Sequence, residues 1–370
     1  MNLQRKYSAV FDALYSLNAQ ITLTEEQAYL AAKNVLDIPD NLFRSLLFSN
    51  LLTGVMVKGA HLGEVVGLLR AVMEIDDLLP ENKYQIDSDY NVIGYAGSGK
   101  KGIKTFNIST PSAIVAASCG AYIAKACSCS TSSLTGSSDF ISEIGIPLSL
   151  TVKDEVDLLK STHIAFFSME KTTPKFAQLY EGRFYLPHAL SYALAAVSLP
   201  IKTDSILYGF AHENIELSAK TLAEFGYKNI LVVNSTEDNI HYVDELTFLK
   251  FLNICEISET GDSKNILLTK RKNFFNEMHG NMYKIREMEN EYENIRVSVK
   301  ALCGKGDEYY IDLICANAGL ILYLSHKCDS LELGYEIAKD SVKSGAVHDK
   351  VVEILMALGQ KPYKFERFLN

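Results

Sequence analysis

The sequence predicts an α/β fold: a small N-terminal helical domain followed by a larger α/β domain with a mostly parallel central sheet. Three observations carry this reading. Residues 1–75 hold the apolar spacing of amphipathic helices, with cap signals at their starts. Beyond Pro80, short apolar runs of the buried-strand type alternate with helical stretches, the pattern of parallel strands joined by helical crossovers. A glycine-rich turn, Gly97 to Gly102, then leads from one strand towards a small-residue helix.

Taken in order, Thr24 reads as an N-cap whose capping box is completed by Gln27. Asp40 opens a second helix that closes at Gly59, and His61 opens a third that ends near Ile75. These make a helical domain over 1–78, joined by helices from 172–200, where Phe176 to Leu199 reads as helical and returns to pack on it. Pro80 to Lys83 is the exit into the α/β domain, 79–370. There Val92 to Ala96, His163 to Met169, Ser205 to Phe210 and Asn229 to Asn234 read as strands. A helix closed by Gly226 lies between the last two, and Asp307 to Lys339 reads as two closing helices. Gly261 to Asn294, rich in Asn and Lys, reads as a surface excursion.

With 370 residues, 48% apolar and 22% charged, the chain has ample material for a core and exceeds the usual single-domain size. A net charge of −9 disfavours a nucleic-acid or anionic-membrane partner. The most apolar run, Ile311 to Leu324, is interrupted by Asp312 and Asn317 and is too short to span a bilayer. The N-terminus lacks the parts of a secretory signal. Seven cysteines then read as reduced thiols in a cytoplasmic protein.

The turn carries the chemistry. Glycines at 97, 99 and 102 let the backbone approach an anion closely. Thr110 is expected as N-cap with Pro111 at the first helical position, so that free N–H groups face the loop beside the Ser109, Thr110 and Ser112 hydroxyls. Lys125 is expected to close that helix and reach a second phosphate. The bland alternative is a tight turn capped by serine and threonine.

This stretch resembles the anthranilate phosphoribosyltransferases and their relatives, the pyrimidine nucleoside phosphorylases. The transferases carry G-T-G-G-D-G, then T-F-N-x-S-T, K-H-G-N-R and S-x-K-S-G-S-A-D. Here Gly97-Ser98-Gly99-Lys100-Lys101-Gly102 falls on the first and Thr105-Phe106-Asn107-Ile108-Ser109-Thr110 on the second. Lys125 to Cys129 falls on the third and Ser133 to Asp139 on the fourth. The N-terminal helices and the stretch from Ala316 to Ala346 resemble the family's ends, so the likeness covers most of the chain.

The resemblance implies a nucleoside phosphorylase/phosphoribosyltransferase-like fold and a donor, phosphoribosyl pyrophosphate. Donor binding would fall to Gly97, Ser98, Gly99, Lys101, Thr105, Asn107, Ser109, Thr110, Lys125 and Ser133. Mg2+ would be held by Ser109 and a later acid pair, which family order places at Asp244-Glu245. Asp154-Glu155 and Asp307-Glu308 are equally adjacent acids, and only position singles out the first pair. The acceptor would meet Ser128, Arg183 and His188. The family's habit also implies a homodimer paired through the helical domain.

Four departures stand out. Lys101, preceded by Lys100, replaces an aspartate, and either lysine is expected to stand in partly for a metal ion by neutralising phosphate. The H-G-N-R loop has become Ala126 to Cys129; Cys127 and Cys129 allow a metal or redox reading against simple lining of the loop. In the acceptor segment Arg183 survives, but the arginine before it is Gly182. The segment after it gains Phe184, Tyr185, His188 and Tyr192, the last read as packing, and keeps little of the family's N-L-L-G-P-L-T-N-P. The function expected is phosphoribosyl transfer to the nitrogen of an aromatic, anthranilate-like acceptor, as in tryptophan biosynthesis. The alternatives are a related pentosyl transfer such as nucleoside phosphorolysis, or a non-catalytic binding protein.

Overall fold

Capping sets where the N-terminal helices begin. The Thr24 N–H donates to the Gln27 side chain and the Gln27 N–H to Thr24 Oγ1, starting the helix Glu25–Leu36. Asp40 accepts the Phe43 N–H at the head of Asn41–Lys58, which ends at Gly59 with φ +94°. The third helix, Leu62–Ile75, buries Glu64 completely. That carboxylate is held by Lys58 at 3.0 Å and by the N–H groups of Leu23 and His61, so one buried charge ties the three helices together. The computed structural model describes residues 3–87, 90–130, 133–180, 184–260, 263–270 and 284–370.

Among the described residues the sheet has eight strands: β1 (Val92–Gly97), β2 (Tyr122–Cys127), β3 (Ile164–Ser168), β4 (Ser205–Gly209), β5 (Asn229–Thr236), β6 (Tyr242–Val243), β7 (Phe251–Thr260) and β8 (Ser263–Lys270). Their order is β3-β2-β1-β4-β5-β7-β8, with β6 paired to β5. The first five strands are mutually parallel, and β6 to β8 add on antiparallel. Alternation along β1 divides the core between the two faces. Val92 and Ala96 join the N-terminal helices and residues 189–199, whereas Ile93 and Tyr95 join the helices Ser109–Ser118, Glu291–Leu302 and Glu308–Leu324. Among the described residues no helix is long and apolar enough to cross a membrane.

Several expectations need correcting. The small-residue helix runs Ser109–Ser118, with Ile108 at its N-cap and no side-chain cap; the Thr110 hydroxyl is buried without a partner. Lys125 does not close that helix. Gly120, at φ +85°, turns the chain, and Lys125 lies in β2. Phe176 to Leu199 is not one helix but Pro174–Tyr180, a 3-10 turn at Ala189–Tyr192 and a single turn at Leu194–Val197. The excursion from Gly261 begins instead with β8, paired to β7, while residues 271–283 lie outside the described residues.

Candidate active site

Parallel strands point their C-terminal ends to one edge of the sheet, where open α/β folds place their ligands. β1 ends in the glycine turn, and β4, its neighbour, ends at Gly209, opposite Gly97. The segment after β6 crosses this seam. A Cβ built on Gly209 would lie 1.8 Å from the Asp244 carbonyl oxygen, and one on Gly97 would lie 2.8 Å from Asp244 Oδ2. The two glycines thus form a slot for Asp244, whose Oδ2 accepts the Gly99 N–H at 2.8 Å.

Lys101 sits over the pair. Its Nζ donates to Glu245 Oε1 at 2.6 Å and Thr105 Oγ1 at 2.8 Å, and lies 3.3 Å from Asp244 Oδ1. Asp244 and Glu245 are 5% and 3% exposed. Burial opposes charge on Asp244, but Lys101 and the Gly99 N–H outweigh it and hold its pKa below the ordinary aspartate value. Burial, with Asp244 alongside, pushes Glu245 up to about 8 despite Lys101. Glu245 Oε2 and Asp244 Oδ1 remain buried without a hydrogen-bond partner.

One cavity receives most of the expected donor residues: the turn with Ser98, Lys101 and Thr105, then Asn107, Ser109 and Ser133, and Lys125 with Ser128 from the end of β2 and beyond. Gly97, Gly99, Asp244 and Glu245 complete that side. Ser98 Oγ accepts the Ala211 N–H at 3.1 Å, bracing the turn against the end of β4. Lys125 donates to the Ala126 carbonyl at 2.8 Å, lies 4.8 Å from the Tyr95 ring centre, and has its pKa lowered by burial. Asn107 Oδ1 accepts from Thr135 Oγ1 at 2.6 Å, and Asn294 Nδ2 donates to the same threonine oxygen at 2.5 Å. This chain of amides ties the 107 loop, the 133–139 loop and the helix Glu291–Leu302 together.

The opposite wall was missed in the sequence. It comes from Met169 to Tyr180, Ser191 to Ala195 and Tyr208. Glu170 accepts the Cys129 N–H at 2.6 Å and the Ser168 hydroxyl at 2.5 Å, so it holds the altered loop. Tyr180 stacks on Phe176 and Phe184, with centroids 4.8 and 5.1 Å apart. Asp76, just past the third helix, accepts the Lys175 and Phe176 N–H groups at 2.9 and 2.8 Å and caps the helix that carries this wall. Lys100 also faces the cavity, 5.7 Å from the Tyr180 centroid, and burial lowers its pKa to about 8; Lys104 adds a fourth cationic side chain. Position at or just past a strand's C-terminal end is the signal that finds Tyr208, near the end of β4, and Glu170, just past β3.

Other expected residues fall elsewhere. Thr110 does not line the cavity, being buried in the first turn of its helix. His188 stands behind Tyr180, sharing a 2.6 Å hydrogen bond between Nε2 and the tyrosine hydroxyl. Burial, then the nearby Lys100, drives its pKa down to about 3, so it is neutral. Tyr192 is buried against Phe210, and Tyr185 is exposed. Arg183 lies outside the described residues. Burial raises the Cys127 thiol to about 11, and both Cys127 and Cys129 line the cavity.

Known proteins resemble this chain in both sequence and fold. A family model described as "Glycosyl transferase family, a/b domain" matches residues 89–348. Anthranilate phosphoribosyltransferase of Bacillus cereus (strain G9842) is 29% identical over 345 residues, 92% of this chain and 95% of the relative. That of Oceanobacillus iheyensis is 27% identical over 315 residues, 82% and 86% of the two chains. Among solved structures, anthranilate phosphoribosyltransferase from Thermus thermophilus superposes with a TM-score of 0.72 at 19% identity, covering 94% of this chain and 99% of that one. The Saccharomyces cerevisiae enzyme in complex with PRPP and Mg gives 0.73 at 17%, covering 95% and 98%. These structural likenesses establish the α/β fold with its N-terminal helices.

Proposed function

The chain belongs to the glycosyl transferase family, a/b domain, and on that premise we propose that it moves ribose 5-phosphate from phosphoribosyl pyrophosphate to the nitrogen of an aromatic, anthranilate-like acceptor. One observation carries the reading. The glycine turn, the N-terminus of the helix Ser109–Ser118, an acid pair and four lysines converge on a cavity whose other wall is aromatic. In the reaction the acceptor nitrogen bonds to the ribose C1 as the C1–O bond breaks. The electron pair departs with diphosphate, and the nitrogen loses a proton.

Little side-chain chemistry is required. Lys100, Lys104, Lys125 and the helix N-terminus supply positive potential where phosphate charge sits and grows. Ser98, Asn107, Ser109 and Ser133 supply hydroxyl and amide groups to the donor, with Gly97 and Gly99 admitting it closely. The magnesium bound by the yeast relative suits the donor set here: buried oxygens of Asp244 and Glu245 without hydrogen-bond partners, with Ser109 at the same cavity. When bound, Mg2+ supplies Lewis-acid stabilisation of the leaving diphosphate. On the acceptor side Ser128 and the Tyr180 wall bind, neutral His188 fixes the Tyr180 hydroxyl, and Arg183 is assigned to the acceptor's carboxylate.

We assign residues 1–78 and the returning 172–200 segment to a helical domain, and the remainder of 79–370 to the α/β domain. Pairing of two copies through the helical domain is supported by Leu42, Leu46 and Val57, which lie exposed along the helix Asn41–Lys58. Seven cysteines outside any disulfide fit a cytoplasmic setting. Calorimetric titration with phosphoribosyl pyrophosphate and Mg2+, followed by diphosphate-release assays with anthranilate and other aromatic amines, tests the reading. Donor binding with acceptor-dependent release supports it. Binding of inorganic phosphate with a nucleoside, but not of the donor, would replace it with phosphorolysis.

A further inference from the structure

Two adjacent carboxylates buried at a diphosphate site pose an electrostatic problem. They repel each other and the incoming phosphates, so a cation must stand between them and the donor. In this chain one already does. We infer that Lys101 is a built-in counter-cation of the acid pair, neutralising it from within so that donor binding depends only weakly on Mg2+. This inference rests on the transferase reading for its donor but not for its geometry.

The lysine donates to Glu245 at 2.6 Å and Thr105 at 2.8 Å, and its charge lies 3.3 Å from Asp244 Oδ1 as an ion pair. Its side chain is 17% exposed, and those of the acids 4% each, so solvent screens the trio little. The turn bearing Lys101 is fixed to the segment bearing the acids. The Gly102 N–H donates to the Tyr242 carbonyl at 2.8 Å, and a Cβ on Gly102 would lie 2.7 Å from His241 Cα. The Gly99 N–H on Asp244 locks the other side. Lys101 is therefore held against the acids, not extended towards phosphate, which corrects the expectation that it grips the donor directly. Neutralisation of the donor falls to Lys100, Lys104 and Lys125. A divalent ion can still use the unpartnered Glu245 Oε2, but it meets a pair whose charge Lys101 already offsets.

The test measures metal binding before any turnover. Mn2+ binding to the ligand-free protein, followed by electron paramagnetic resonance, is compared for wild type, Lys101→Met and Lys101→Gln, with circular dichroism to verify folding. Both variants should bind Mn2+ at least about tenfold more tightly, since removing Lys101 clears the cation that competes with the metal for the same carboxylate oxygens. In calorimetry, wild-type affinity for phosphoribosyl pyrophosphate should change by less than about tenfold on chelation with EDTA, while the variants' affinity should fall by more than that and return with Mg2+. Equal Mn2+ affinity in folded variants and wild type overturns the inference. So does a wild-type donor affinity that collapses on chelation, a measurement independent of whether the variants fold. Absence of donor binding under every condition counts against the transferase reading instead, and the Mn2+ comparison still judges Lys101.

Discussion

Replacing Gly209 by alanine should dislodge the acid pair without touching a charged group. The new Cβ would lie 1.8 Å from the Asp244 carbonyl oxygen and 2.8 Å from its carbonyl carbon, where ordinary contact begins at 3.4 Å. The Asp244 backbone must therefore withdraw by about 1.6 Å, because the packed interior around it has no slack to absorb the overlap. Even half that movement takes the 2.8 Å bond from the Gly99 N–H to its limit. Overpacking of this kind costs about 1–3 kcal/mol, and backbone meeting backbone belongs at the upper end. Urea denaturation should show a loss near about 3 kcal/mol, and calorimetry a donor affinity weakened at least about tenfold. Gly63→Ala is the control. Its Cβ would meet only ordinary contacts inside the helix Leu62–Ile75, so stability should hold or rise by up to about 1 kcal/mol. A Gly209→Ala protein within about 0.5 kcal/mol of wild type, with unaltered donor affinity, would refute the slot.

Glu155, 4% exposed in the helix Val152–Thr162, is raised by burial to about 8. Its folded pKa exceeds its unfolded one, so the native state binds the extra proton and wild-type stability falls as pH rises from the ordinary value of 4.5 towards 8. Glu155→Gln should thus gain on wild type across that window in denaturant melts; a constant difference would contradict the sign. Lys100 loses its charge as pH passes about 8, so donor affinity should drop above that pH in wild type, while Lys100→Met should bind more weakly throughout and lack the step. Asn294→Leu removes a fully buried donor to Thr135 and should cost about 1–3 kcal/mol. It should also weaken donor binding through Asn107; unchanged affinity would show that the network supports only the fold.

The parallel half of the sheet was legible because β1 and β3 to β5 are unbroken apolar runs between turn residues, and the acid pair was legible only through its place in the chain order. Lys125 was misplaced because Ala113 to Cys127 is small and apolar almost throughout, which suits a helix and a buried strand equally. Gly120 divides the two, and its positive φ is the missed cue. The antiparallel extension was hidden by the polar residues that dominate Glu256 to Thr260 and Ser263 to Asn265, although Gly261-Asp262 is a turn signal. Thr110 misled as a cap because Pro111 is equally at home two residues further into the first turn, and the backbone begins its helix at Ser109. Glu170 and Tyr208 carry no motif; only their position after or near a strand end marks them, and that needs the sheet order.

Asp76 fastens the aromatic wall to the N-terminal helices, whereas the glycine turn, lysines and acid pair hang from the strand ends. The two sides of the cleft are thus carried by different scaffolds. Sequence drift in the wall can retailor what enters from that side while the sheet goes on presenting the same phosphates. The contrast between a turn that keeps the family's glycines at 97, 99 and 102 and a rewritten 181–200 segment fits such a division: one half of the cleft keeps its approach to phosphate, the other is free to change its guest.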